Sequence, residues 1–318
     1  MKILIAGGAG YIGSRLIPEL ITKNHTITVV DKLWFGNHLP KDVIIDTRYV
    51  SELTEKDLEG FDQVIFLGGL SCDPMAEFGP WQNFLFNAAT PSYLAYIAKK
   101  SGVKRFIYAS SCSVYGFTQG EPYTEESPTI SNYPYGIAKL QGERGVLQLN
   151  DSNFSVIALR KGTLSGYSPR MRLDLVVNTM FKTALYNKKI TISNPNIWRP
   201  ILDIRDCIDA YVKAIDNPLV NGVYNICSYN TTIGKIGFEI ENFINQKISP
   251  ENISVITNNI QDFRNYQVKI DKAKKYLEFI PQHILSSTLV DLWNNRLKFQ
   301  NIDNDYYYNI NIFRNLEL

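Results

Sequence analysis

The chain has 318 residues, 45% hydrophobic and 20% charged, which suits one large domain or a large and a small one with a substantial core. Its 33 basic and 31 acidic residues leave a net charge of +2, which argues against a broad nucleic-acid or anionic-membrane surface. Cys72, Cys112, Cys207 and Cys227 show no C-x-x-C spacing and the three histidines no H-x-x-H or H-E-x-x-H pattern, so neither a metal centre nor a disulfide framework is expected.

Residues 3–6 form an apolar run that glycines interrupt at once, so it reads as a buried strand and not as a leader. A helix-compatible stretch follows over 12–22, then short β-rich runs at 26–30, 43–45, 63–67 and 105–110. A helix is expected between the last two, over 81–102, where Ala88, Ala89, Leu94, Ile97 and Ala98 suit close packing. Short strands alternating with crossover helices specify a doubly wound parallel sheet, covered on both faces. Beyond Gly166 the alternation weakens around Pro169, Arg170 and Arg172, and a helical stretch spans 173–186. Residues 200–217 read as a strand entering a helix and 222–227 as one more strand, which returns the chain to the main sheet. The Asn- and Tyr-rich stretch 301–318 reads as a tail or an edge element, and no apolar run approaches the roughly 18 residues of a membrane span.

Gly7-Gly8-Ala9-Gly10-Tyr11-Ile12-Gly13 lies between the first strand and the first helix. Glycines there permit a tight turn, bring backbone N–H groups close to a pyrophosphate and let helix and strand approach, with the helix dipole facing the phosphates. Gly7, Gly10, Tyr11, Ile12 and Gly13 are therefore cofactor candidates. The second strand ends at Asp31, an acid suited to the ribose hydroxyls of adenosine and unfavourable to a 2′-phosphate, so NAD is expected over NADP. Asp46, at the end of the third strand, is a candidate adenine contact. These features define a Rossmann-type α/β domain over 1–165 with a return near 200–230, and a smaller, discontinuous C-terminal substrate region over 166–318.

Tyr135-Gly136-Ile137-Ala138-Lys139 sets a phenol and an ammonium one helical turn apart. A lysine charge favours the phenolate, and a tyrosine so tuned can take a hydroxyl proton while hydride leaves the same carbon. The strand at 105–110 runs into Ser110-Ser111-Cys112-Ser113, placing hydroxyls where parallel sheets bind ligands; Ser111 and Ser113 are expected to meet the substrate.

In this combination and order the chain resembles the extended short-chain dehydrogenase/reductase superfamily, in its branch of NAD-dependent nucleotide-sugar epimerases and dehydratases of the UDP-glucose 4-epimerase type. The resemblance covers residues 1–230 and continues more diffusely to about 280. It implies a catalytic Ser111, Tyr135 and Lys139, the last also holding the nicotinamide ribose, and a cofactor-flanking segment at Leu67-Gly68-Gly69-Leu70. Thr163, in Arg160-Lys161-Gly162-Thr163, stands where the family usually carries an asparagine that meets substrate. Arg199, in Trp198-Arg199-Pro200, and Arg264, in Asp262-Phe263-Arg264-Asn265-Tyr266, match pyrophosphate-binding arginines, and Asn178 is a further sugar-nucleotide contact. Sugar 4,6-dehydratases follow the catalytic Ser/Thr with Asp-Glu; Cys112-Ser113 stands here instead, and neither supplies the acid and base that elimination needs. The expected activity is thus hydride chemistry at one carbon, C4, of a nucleoside-diphosphate sugar, as a 4-epimerase, with a net 4-dehydrogenase or ketosugar reductase as the alternative. A non-catalytic NAD sensor is a third reading. The four scattered cysteines point to a reducing, cytoplasmic compartment, and the resemblance implies a homodimer formed by helices around 85–102 and 134–150.

Overall fold

The structure is a computed structural model that describes residues 1–118, 120–248, 253–259 and 264–316. Asp262 and Phe263 of the second arginine segment lie outside the described residues. Twelve strands are present among the described residues: β1 (Lys2–Ala6), β2 (Thr26–Val30), β3 (Ile44–Asp46), β4 (Gln63–Phe66), β5 (Arg105–Ser111), β6 (Ser155–Lys161), β7 (Thr163–Ser165), β8 (Lys189–Ser193), β9 (Trp198–Asp203), β10 (Gly222–Ile226), β11 (Tyr229–Thr232) and β12 (Ser254–Asn258). Seven of them form one parallel sheet in the order β10-β6-β5-β4-β1-β2-β3. This is the Rossmann-type α/β fold, and its strand order reverses at β1 and β4, where open parallel sheets bind ligands at the strands' carboxyl ends.

The period of two along β1 builds both layers. Ile3 and Ile5 face a core shared with α1 (Gly13–Thr22), while Leu4 and Ala6 face the opposite core. The expected helix over 81–102 is interrupted. After α2 (Asp73–Phe78) come α3 (Pro80–Phe84), a π-helical turn at Leu85–Ala89 and α4 (Thr90–Lys100). Pro91 lacks an N–H to continue the ladder, and the Asn87 amide in the widened turn donates to the Leu70 carbonyl at 2.9 Å. Against this turn packs α5 (Pro134–Leu147), so closely that a Cβ on Gly142 would stand 2.2 Å from the Asn87 carbonyl oxygen.

Beyond β6 the chain builds a three-stranded sheet, β11-β9-β7, and a two-stranded one, β12-β8. Their helices are α6 (Val176–Asn187), α7 (Ile204–Asp216), α8 (Ile233–Lys247), α9 (Asp271–Tyr276) and α10 (Leu285–Asn295). Helix α6 starts three residues later than its pattern suggests, because Leu175 is extended and Arg172 and Asp174 pair before it. The tail ends in α11 (Asn309–Arg314), which docks on the loops after β2 and β4. Among the described residues no helix is long and apolar enough to cross a membrane.

Candidate active site

A cleft of about 670 Å³ opens at the carboxyl ends of the main sheet and is shared by the glycine turn, the end of β5 and the segments after β7. Gly7 has φ +76°, and a Cβ there would stand 2.4 Å from the Gly68 Cα, so only glycine allows the turn to lie this close to the next strand's end. Gly13 is equally constrained, its absent Cβ 2.0 Å from the Gly8 carbonyl oxygen, which makes it the contact between α1 and the turn and not part of the cleft lining. Gly7, Gly10, Tyr11, Ile12, Leu67 and Gly68 line the cleft, a backbone cradle of the shape a dinucleotide pyrophosphate requires. Asp31 also lines it. Its carboxylate accepts from Ala9 N at 2.9 Å and Leu33 N at 2.8 Å, and burial raises its pKa above the ordinary carboxylate value against the pull of those bonds.

At the other end of the cleft Ser111, Ser113, Tyr135 and Lys139 converge. Extended Tyr133 and Pro134 in the first turn start α5, so Tyr135 sits at its head and Lys139 one turn later. Lys139 Nζ donates to the Ala109 carbonyl at 3.1 Å and lies 5.9 Å from the Tyr135 ring centroid. Ser113 Oγ donates to Ser111 Oγ at 2.9 Å, and Ser111 is in turn the side-chain hydrogen-bond partner of Tyr135. Burial pushes the Tyr135 phenol up, with the Asp73 charge next in size, while the Ser111 bond pulls it down. Burial, and then the charge of Lys161, pushes Lys139 well below the ordinary lysine value.

Behind these groups lies a buried network. Glu143, one turn beyond Lys139, accepts from Ser110 Oγ at 2.6 Å and forms a two-pronged pair with Arg160 at 2.6 and 2.9 Å. Arg160 continues to the Tyr115 hydroxyl at 2.8 Å. Cys112 is fully buried and its thiol donates to the Arg160 carbonyl, so its side chain points away from the cleft.

Thr163, Arg199 and Arg264 line the same cleft. The Arg199 guanidinium lies 5.3 Å from the Tyr266 ring, and Arg264 pairs with Asp73. Besides Gly13, two residues singled out from sequence are placed differently. Asp46 lies back from the cleft wall, its carboxylate held by Arg48 at 2.7 Å, and Arg48 lines the cleft in its place. Asn178 is fully buried: its Oδ1 accepts from Gly166 N at 3.0 Å and its Nδ2 donates to the Tyr11 hydroxyl and the Arg172 carbonyl, so it ties the turn after β7 to α6 instead of facing a ligand.

The cleft also holds Asp73, Lys161, Arg170, Arg172 and Asn309, to which the sequence reading assigned no role. Strand alternation was the available signal for Lys161: Arg160 turns to Glu143 on α5, and Lys161 to the Tyr211 hydroxyl on α7. Burial pushes Lys161 down to about 8 from 10.5. Between those values the unfolded chain holds more protons, so stability rises with pH, and the penalty is full below about pH 8. Relative to Lys161→Met, the wild-type protein is expected to gain about 2–3 kcal/mol between these limits, measured by urea unfolding at stepped pH. A flat difference would show that Lys161 is solvated.

A glycine-cradled dinucleotide cleft joined to a tyrosine–lysine–serine cluster defines a class of nucleotide-dependent oxidoreductase. The NAD dependent epimerase/dehydratase family matches residues 3–227, and the chain belongs to it, with NAD as cofactor. The chain is 30% identical to a UDP-glucose 4-epimerase of Bacillus subtilis over 69% of its own length and 74% of that protein. It is 25% identical to UDP-arabinose 4-epimerase 1 of Arabidopsis thaliana over 70% of its length, and spans 62% of that longer relative. The fold matches a UDP-glucose 4-epimerase of Thermotoga maritima solved with UDP-glucose, with TM-score 0.81 and 22% identity, covering 93% of this chain and 100% of the other.

Proposed function

We propose that the protein is a UDP-sugar 4-epimerase in which Tyr135 moves the proton of the C4 hydroxyl. The observation that carries this is the convergence of Ser111, Tyr135 and Lys139 in one cleft with the glycine cradle. Held by the glycine cradle, Asp31 and Lys139, NAD would supply the hydride acceptor and donor for C4. Tyr135 takes the hydroxyl proton and later gives it back, with Ser111 holding the same oxygen. Lys139, anchored by the Ala109 carbonyl, holds the nicotinamide ribose and favours the phenolate. Asp31 holds the adenosine ribose, while Arg199, Arg264, Thr163 and Ser113 bind the sugar nucleotide.

Elimination is disfavoured because Cys112 is turned into the core and Ser113 has no acidic group. A cytoplasmic homodimer belongs to the same reading, supported by four free cysteines and by exposed Tyr93 and Tyr96 on α4. The test is incubation of the purified protein with UDP-glucose, UDP-arabinose and UDP-glucuronic acid in turn. A new 4-isomer without sustained absorbance from reduced nicotinamide is expected; steady accumulation of reduced cofactor would mean a net dehydrogenase, and a 6-deoxy product a dehydratase.

A further inference from the structure

The C-terminal segment contributes to the cleft in a way the glycine-turn motif does not anticipate. Asn309 opens α11, is 5% exposed and lines the cleft. It accepts a hydrogen bond from Arg170 Nη2 at Oδ1, and its Nδ2 donates to Ser71 Oγ at 2.6 Å. The segment is anchored on both sides. Phe313 packs against Trp34, in the loop after β2, with ring centroids 6.3 Å apart, and the Tyr307 carbonyl accepts from Leu173 N at 3.0 Å.

Arg170 is 2% exposed, yet among the described residues no carboxylate lies within ion-pair distance of it. Asp174 is taken by Arg172 at 2.8 and 3.0 Å, and both Asp31 oxygens accept backbone N–H groups. Arg170 has the faces of Phe35 and the acceptors Met171 O and Asn309 Oδ1, while its Nε has no partner. A guanidinium withdrawn from water against neutral groups is costly, and an anionic ligand removes that cost. Burial accordingly pushes it down to about 9.

The position selects which anion. Arg170 N donates to Ser14 Oγ at 3.2 Å in the first turn of α1, and its charge is felt by Asp31, so it stands at the dinucleotide end. Arg199 and Arg264 lie elsewhere, against Tyr266 and Tyr133. We propose that Arg170 is a further NAD-binding residue, seated by Asn309 of the C-terminal segment, and that this segment acts as a strap slowing release of the cofactor. This rests on the NAD-dependent reading and explains how an epimerase keeps one cofactor molecule through many turnovers.

The experiment measures NAD release from the full chain, by stopped-flow displacement, together with UDP affinity and Tm. Arg170→Met and Asn309→Ala are expected to release NAD about tenfold faster or more, the loss of one charge-assisted contact, with UDP affinity unchanged. Arg170→Lys is expected to restore part of the retention, which a purely structural arginine would not predict. Phe313→Ala, which loosens the strap outside the cleft, is expected to speed release with Arg170 intact. Wild-type release rates in Arg170→Met and Asn309→Ala would overturn the proposal while leaving the epimerase reading in place, as would an equal loss of UDP affinity. A wild-type chain that binds no NAD would overturn both.

Discussion

Tyr135→Phe is expected to lower kcat for epimerisation by about 10³-fold while NAD binding stays near the wild-type value. The substitution removes one oxygen and no ring volume, so packing along α5 and the cation–ring contact with Lys139 at 5.9 Å persist. Only the proton acceptor disappears, together with its bond to Ser111. The phenol is pushed up by burial, and the reaction therefore depends on positive charge beside it to make the phenolate accessible. Progress curves for isomer formation, paired with fluorescence titration of NAD, separate chemistry from binding. A kcat within tenfold of wild type would assign the proton transfer to another group.

Glu143→Ala is expected to destabilise the fold by about 3–5 kcal/mol, because it strands the Arg160 guanidinium without its carboxylate. The pair is almost completely enclosed, with side chains 2% and 6% exposed, so water cannot take the place of the lost oxygens. The Ser110 hydroxyl loses its acceptor in the same step. Urea unfolding at constant m-value measures the effect. Pairing Glu143→Leu with Arg160→Met is expected to recover much of the stability, since the cost lies in the unpaired charge and not in the absence of the pair. The double variant is nevertheless expected to be slow, as Ser110 and Lys139 lose the neighbour that fixes α5 against β5. A small stability loss for Glu143→Ala would mean that the Arg160 side chain reaches solvent.

The doubly wound sheet was readable because most of its strands are short apolar runs separated by helix, although β3 follows β2 with no helix between them and β10 pairs with β6 residues 65 positions earlier in the chain. The glycine turn and the Tyr135–Lys139 pair were readable because their chemistry depends on spacing within one element. What escaped was set by partners distant in sequence or by local competition. Asp46 has a guanidinium two residues away that takes its carboxylate. Asn178 bonds to Tyr11, 167 positions distant, and Asn309 to Ser71, 238 positions distant. Hydrophobic periodicity carries no record of such bonds, so nothing local corrected the reading of Asn178 as a ligand contact, which came from the resemblance, and the last residues read as a tail or an edge.

The backbone contact between Gly142 and Asn87 has a mechanical consequence. Gly145, three residues on, faces α4 as closely, where a Cβ would stand 2.2 Å from the Ser92 side-chain Oγ. Elements meshed at this range are expected to move as one stiff body, α5 with the π-turn and α4. Tyr135 is thus carried on a double beam, and any motion that opens the cleft for a bulky sugar must fall to the segments after β7 that face it.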